Sequence, residues 1–308
     1  MREEIWGIEH DALRRISDRL VAGKPFTWKS VDVERDDPFY HLRALNFMHR
    51  PNIDGLDVTV VIPTQRPKFC IPNAYENDNV LLLSNRGGPI WSRQGRILRV
   101  AWEGHAKTRK QALPHIDTKY VFFTVDDAIP LRGMLSVLVQ EFEKGNEQWD
   151  ILCPRQVPWP HACHVSKNRL AQWMPYAQQT YPFSQADHVG AMYRTDDLRR
   201  WKLPDVPIAE DMWWSRGKRI GCIPQATIVH SHIRRPRSLF FREYAISQER
   251  AKMGEDVGVS LLDPIRAFWL GWQESSLYEG INGFSECLGR YCGVTRSKSS
   301  KDIPGRIE

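Results

Sequence analysis

Two adjacent acidic pairs and two histidines are the side chains best suited to chemistry in this sequence of 308 residues. Asp126 and Asp127 close the run TKYVFFTVDDAIP, while Glu210 and Asp211 open EDMWWSRGKRIGCIPQATIVHSH, which ends on His230 and His232. Carboxylate oxygens suit hard divalent ions such as Mg2+ or Mn2+, and an ion held this way can bridge phosphates and neutralise a departing diphosphate. Each pair also has a plainer reading. Asp126 and Asp127 would make a turn or cap a helix starting near Leu131. Glu210 and Asp211 would place negative charge at a helix N-terminus, worth ~0.3–1 kcal/mol.

The elements that must position these groups can be read from apolar patterning. Tyr120, Val121, Phe122 and Phe123 form a β-prone run without alternation, as expected of a central strand covered on both faces, and Pro130 stops its extension. Residues 57–64, DVTVVIPT, and 79–84, NVLLLS, read as two further buried strands. Residues 104–113, GHAKTRKQAL, read as a helix with basic residues just before the Tyr120 strand. Strand, helix and strand in this order predict an α/β fold with parallel strands wound with helices. Carboxylates at a strand end are then presented at the sheet edge where open α/β sheets bind ligands.

Taken in order, VVIPT, an Ala-x-x-Arg helix, a strand ending in acidic residues, GAMYR, Glu-Asp and PQATIVHSH resemble the family 2 glycosyltransferases of GT-A type, with bacterial rhamnosyltransferase-like members nearest. The resemblance covers about residues 57–235. It implies a nucleotide-binding mixed sheet flanked by helices. It also implies inverting transfer of a sugar from a nucleotide-sugar donor to an acceptor hydroxyl, in bacterial surface glycan (polysaccharide) or glycoconjugate biosynthesis. Residues 1–56 would be an N-terminal helical extension, with Ile5, Ile8, Leu13, Ile16 and Leu20 on one stripe. Residues 57–235 would form the catalytic domain, and residues 236–308 a C-terminal helical region with a polar, disordered tail.

Carried over residue by residue, the resemblance places Pro63, Thr64 and Arg66 where the first strand meets the nucleotide. Arg109 matches the helix arginine, with Lys110 in place of the family's asparagine. Asn85 stands where a donor-contacting acidic residue is usual, and Asp126 turns toward the ribose or the ion. Asp127 takes the second position of the Asp-x-Asp metal motif, Val125 replaces the first, and His230 completes the shell of a Mn2+ or Mg2+ ion. Gly190 falls where backbone approaches the donor sugar, although an ordinary strand glycine is an equal reading. Asp211 is the base that takes the acceptor hydroxyl's proton, with Glu210 orienting it or binding an acceptor hydroxyl. His232 is read as a core or surface histidine.

Trp213 and Trp214 follow the second acidic pair and are candidates to floor an acceptor sugar. Adjacent helical positions point about 100° apart, so at most one does so and the other belongs to the core. His161, Cys163 and His164 lack the spacing of a structural zinc site and are assigned to a binding loop.

A 42% hydrophobic content is that of a globular protein. The sequence has no apolar run long enough to span a bilayer, and MREEIWGIEH is not a signal peptide. Six cysteines without a paired pattern point to a reducing cytoplasm. A formal net charge of +6 fits a phosphate-rich donor or peripheral contact with an anionic membrane at its inner face, beside a glycan or lipid-linked acceptor. Arg234, Arg235 and Arg237 cluster upstream of the aromatic-rich stretch around Phe268 and Trp272. Two other classes compete. A nucleotidyltransferase would want a glycine-rich first loop, which TQRPKFCIPN lacks. A noncatalytic nucleic-acid-binding protein would want a recognisable motif, which is absent, so no nucleic-acid partner is expected.

Overall fold

The computed structural model describes residues 56–65, 69–70, 79–85, 90–91, 96–130, 133–144, 148–157, 170, 173–174, 177, 179–206, 208–230, 236–254, 258, 260, 262–274 and 277–301. The predicted N-terminal helical stripe lies outside these residues. So do Arg66, the group His161, Cys163 and His164, His232, Arg234, Arg235 and the polar tail from residue 302. The chain divides into two compact units, one holding the described residues up to His230 and the other those from Pro236 onward.

The first unit is built on a mixed sheet with nine strands among the described residues. Its strands are β1 (Val58–Thr64), β3 (Val80–Ser84), β5 (Arg96–Arg99), β6 (Tyr120–Thr124), β7 (Ile129–Pro130), β8 (Ile151–Val157), β9 (Tyr181–Phe183), β10 (Gly190–Arg194) and β11 (Ile220–Val229). A separate two-residue pair, β2 (Phe69–Cys70) and β4 (Ile90–Trp91), stands off it. The order is β5-β3-β1-β6-β10-β8-β11-β7, with β9 also on β11. Strands β5, β3, β1 and β6 are mutually parallel, and β10 runs antiparallel between β6 and β8. The helices are α1 (His105–Lys110), α2 (Met134–Glu143), α3 (Thr195–Arg200) and α4 (Glu210–Ser215). The expected mixed sheet flanked by helices is therefore present, and all three predicted strands fall within a residue or two of their expected bounds.

The uninterrupted apolar runs have a direct cause. Side chains alternate across a strand, so a strand covered on both faces must be apolar at odd and even positions alike. In β1, Val58, Val60 and Ile62 join Val80, Leu82, Tyr120 and Phe122 on one face, which α2 covers with Met134, Leu135 and Leu138. Val61 joins Leu81, Leu83, Val121 and Phe123 on the other, with Ala106 of α1, Leu198 of α3 and Trp214 of α4. Each such fully buried side chain contributes about 1.5–3 kcal/mol relative to exposure. Cys153 and Cys222 face each other in register across β8 and β11 and are free thiols.

Pro130 does more than stop a strand. The chain turns after β6, with Ala128 N–H donating to the Val125 carbonyl at 3.4 Å, and re-enters the sheet as β7 on the edge of β11. An edge is where a proline, lacking an N–H, is tolerated. The register pairs Val229 with Ile129, so the turn residues Asp126 and Asp127 are delivered to the end of β11, where His230 follows.

The second unit contains α5 (Pro236–Lys252), α6 (Asp263–Glu274) and α7 (Leu277–Lys301). The alternation of small and bulky residues in α7 follows from how closely it packs: a Cβ at Gly289 would lie 2.3 Å from the Phe240 carbonyl oxygen, and one at Gly280 would lie 2.7 Å from that of Phe268. Inside this unit Arg290 donates to Glu243 at 2.9 Å and to Glu286 at 2.5 Å. No helix among the described residues is long and apolar enough to cross a membrane.

Candidate functional site

The ends of β1, β6 and β11 assemble a polar group. Thr64, buried at the end of β1, donates from Oγ1 to Asp126 Oδ2 at 2.6 Å. Asp127 Oδ1 lies 3.5 Å from His230 Nε2, and the His230 N–H donates to the Val157 carbonyl at 2.9 Å. Asn85 is exposed just beyond β3, whose Ser84 pairs in register with Thr64. Pro63 is buried within β1. Val125, where the resemblance places the first metal carboxylate, packs instead against the apolar core.

A second polar group lies under the start of α4. Arg109, 1% exposed, donates from Nη1 to Glu210 and from Nη2 to the His188 carbonyl at 3.5 Å. His188 Nδ1 is 3.1 Å from the same Glu210 oxygen, and its Nε2 is 2.7 Å from the Tyr193 hydroxyl. Burial and then the Arg109 charge hold His188 down at about 4, so the ring is neutral at pH 7. With a carboxylate at Nδ1, that nitrogen carries the proton and donates to Glu210, and Nε2 accepts from Tyr193, whose hydroxyl burial keeps protonated. Burial opposes the Glu210 charge, but the Arg109 guanidinium and His188 together hold its carboxyl well below the usual range.

The resemblance gives Arg109 to the donor and has Glu210 orient Asp211 or bind an acceptor hydroxyl. Both side chains are enclosed in the protein and satisfied by each other rather than by a ligand, and a charge this buried is retained only when paired. Glu210 still bears on Asp211, through the backbone because the ion pair fixes the first residue of α4 and so places the second, and through its charge, which raises the Asp211 carboxyl. The helix is entered through Ala209, which is left-handed at φ 59° and the only non-glycine residue with positive φ among those described. Such a conformation costs on the order of 1 kcal/mol and persists where its surroundings impose it.

Asp211 is partly exposed, and its Oδ1 accepts the Met212 N–H at 2.9 Å. Desolvation, then the Glu210 and Asp187 charges, push its carboxyl up to about 8. Sequence reasoning passed over Asp187 and His188. Asp187 accepts from Gln156 Nε2 at 2.8 Å and from the Val189 N–H at 2.9 Å, which ties the end of β8 to the start of β10. The signal available was an Asp-His pair directly ahead of the GAMYR strand. Thr124 at the end of β6 donates to the Val189 carbonyl at 2.7 Å, connecting the strand-end group with the segment that carries Asp187 and His188.

The remaining candidates separate. Trp214 is core: 2% exposed, it packs with Phe123 and His188 and donates from Nε1 to the Pro204 carbonyl at 3.2 Å. Trp214 is thus the one of the two adjacent tryptophans that belongs to the core. Trp213 is partly exposed and packs on the same core edge, with its indole N–H meeting no acceptor among the described residues. Gly190 is required by the protein's own packing, since a Cβ there would meet Pro154 Cγ at 2.7 Å and Phe122 Cζ at 3.2 Å.

Among the described residues no three His, Cys, Asp or Glu side chains gather at metal-binding range. Asp127 and His230 nevertheless fit a divalent ion in chemistry and spacing. A carboxylate oxygen and an imidazole nitrogen each ligate such ions at about 2.0–2.2 Å, and a separation of 3.5 Å lets both reach a common centre.

No family model matches the chain, and no curated protein matches it. Among solved structures it is similar to the mannosyltransferase PcManGT of Pyrobaculum calidifontis, in complex with GDP-Man and Mn2+, with 15% identity over 98% of this chain and 88% of that one and a TM-score of 0.47. It is also similar to S. aureus TarS 1-349, with 12% identity over 79% and 91% of the two chains and a TM-score of 0.42. GalNAc-T7 with UDP, GalNAc and Mn2+ is 9% identical over 82% of this chain and 59% of its own length, with a TM-score of 0.42.

Proposed function

We propose that the chain is an inverting glycosyltransferase of GT-A type that moves a sugar from a nucleotide-sugar donor to an acceptor hydroxyl in bacterial glycan or glycoconjugate synthesis. The observation that carries this reading is the meeting of Asp127 and His230 at the sheet edge, 3.5 Å apart, beside Asp126 held by Thr64. Open α/β sheets bind nucleotides at such strand ends. The order of sequence motifs supports the same assignment.

In this mechanism Asp127 and His230 would hold Mn2+ or Mg2+, which when bound would supply charge neutralisation for the diphosphate. Asp126, held by Thr64, and Asn85 receive the nucleotide by hydrogen bonding, with Pro63 shaping the strand end. Asp211 accepts the proton of the acceptor hydroxyl as its oxygen attacks the anomeric carbon from the face opposite the diphosphate. A carboxyl pushed up to about 8 is a stronger base than an ordinary aspartate and suits this role near neutral pH. Trp213 remains the candidate surface for the acceptor sugar. The reading keeps the enzyme cytoplasmic, with a soluble or lipid-linked acceptor.

The test is a panel of nucleotide sugars offered with and without Mn2+ and read by thermal shift. A donor present at 100 times its dissociation constant should stabilise the fold by ~2.7 kcal/mol. If no nucleotide sugar raises the melting temperature under either condition, the reading fails.

A further inference from the structure

The second unit contains a helix whose apolar face points the wrong way for a protein surrounded only by water. Helix α6 packs on α7 through Ala267 and Phe268, whose carbonyl oxygens meet Gly283 and Gly280. At 100° per residue, the side opposite this seam is an arc of about 160° holding Leu262, Ile265, Trp269, Leu270 and Trp272, with Arg266 and Gln273 among them. All of these are exposed, Trp269 at 50% and Trp272 at 47%. A helix on a globular surface normally turns its polar side outward. Ile281 and Phe284 of α7 are also exposed, and with Ile265 and Phe268 they line a wholly apolar groove beside this face.

Charge decides what would cover it. Glu243, Glu249 and Glu286 are buried, each engaged by Arg290 or Lys252. Arg237, Arg242 and Arg266 are exposed, the first lying 5.8 Å over the ring of exposed Phe241 and the last 3.7 Å from Asp263. The described outward charge of this unit is therefore mainly positive. A second copy of the chain would bring the same positive charge, whereas an anionic phospholipid surface would complement it. The residue types agree, because tryptophan is favoured at the level of lipid headgroups, where an apolar ring and a polar N–H are both satisfied.

We propose that the outward face of α6, extended by Ile281 and Phe284, is a binding surface for an anionic phospholipid bilayer, with Trp269 and Trp272 entering the headgroup region and Arg266 meeting lipid phosphate. The surface does not depend on the transfer reaction, and vesicle binding is measured without any sugar donor, so failure of one reading leaves the other standing.

The full chain is sedimented with sucrose-loaded vesicles of phosphatidylcholine alone or mixed with phosphatidylglycerol, at low and high salt. Binding is expected to the mixed vesicles at low salt and to weaken at high salt. The double substitution Trp269→Gln/Trp272→Gln is expected to lower vesicle affinity by at least roughly tenfold. Arg266→Gln is expected to lower it by roughly fivefold. The substituted side chains are exposed, so circular dichroism and the melting temperature should be unchanged. If the tryptophan variant does not fold, quenching of wild-type tryptophan fluorescence by brominated lipid replaces it. The proposal is overturned by absence of low-salt binding, by binding that survives the tryptophan substitutions, by absence of quenching, or by a dimer that dissociates on those substitutions.

Discussion

Arg109 and Glu210 stand 101 residues apart in the chain and close a buried ion pair that anchors α4 beneath the sheet edge. Both had the sequence context of ligand-contacting residues. The structure uses them on each other and adds His188 and Tyr193 as the continuation of one hydrogen-bonded line. The consequence falls on Asp211, whose position at the second residue of α4 depends on charges it does not itself touch.

Removing either partner alone should therefore be costly, and the two losses should not add. Arg109→Met leaves Glu210 buried without its cation, and Glu210→Gln leaves the guanidinium without its anion. Each should destabilise by about 3–5 kcal/mol, because an uncompensated charge remains in a desolvated site. The double variant Arg109→Met/Glu210→Gln should cost less than the sum of the two. Denaturant unfolding of the four proteins checks this, and strictly additive losses would mean that the pair is not energetically coupled.

The same line of residues makes the fold sensitive to acid. The folded-state value of Glu210 is depressed below the ordinary 4.5, and that of His188 is depressed from 6.5 to about 4. In both cases the unfolded chain takes up the proton first. The stability each group contributes is present above its unfolded value and is lost as pH falls through its folded one. Asp211, whose folded-state value is raised, acts in the opposite direction between pH 8 and pH 4, so the decline is read in the Asp211→Asn background. There the melting temperature should begin to fall near pH 6.5 and continue to fall below pH 4, adding His188→Gln should flatten the upper part of that decline, and a melting temperature constant from pH 7 to pH 4 in the Asp211→Asn protein would contradict the arrangement.

What was legible in the sequence was whatever depends on local pattern. The unbroken apolar runs around Val60, Leu82 and Phe122 announced a doubly covered sheet because no other environment tolerates them. The placement of Asp127 near His230 was suggested by motif order, but the register that produces it, Val229 against Ile129, depends on a two-residue edge strand too short to carry a signal. The pairing of Arg109 with Glu210 and the burial of Trp214 were illegible for another reason. An arginine on a basic helix and a tryptophan after an acidic pair look the same whether they face solvent or core. Gly190 was equally ambiguous until Pro154, distant in sequence, was found against it.

At the strand ends, Asp127→Ala should abolish Mn2+ binding measured by calorimetry on the protein without donor. His230→Ala should weaken it less, since a charged oxygen ligand contributes more than a neutral imidazole to a hard ion. The Asp127 change should not lower thermal stability by more than about 1 kcal/mol, because that side chain is partly exposed, whereas His230 is buried and its truncation also removes packing. Equal Mn2+ affinity in wild type and both variants would remove these residues from any metal site.

Asp211 gives two linked expectations of opposite sign. Its folded-state value, about 8, lies above the ordinary 3.8, so the carboxyl's contribution to stability is complete below pH 3.8 and is lost as pH rises through 8. Asp211→Asn removes that loss while keeping the shape. The variant should match wild type near pH 4 and become more stable with rising pH, by on the order of 1 kcal/mol at pH 8 once partial exposure is allowed for. Transfer should behave in the other direction. Wild-type turnover should climb with pH toward about 8 as the base ionises, and the asparagine variant should bind donor normally yet lose transfer, because an amide cannot accept the hydroxyl proton. A variant that gains stability but keeps near wild-type turnover would show Asp211 to be a strained carboxyl with no part in the chemistry.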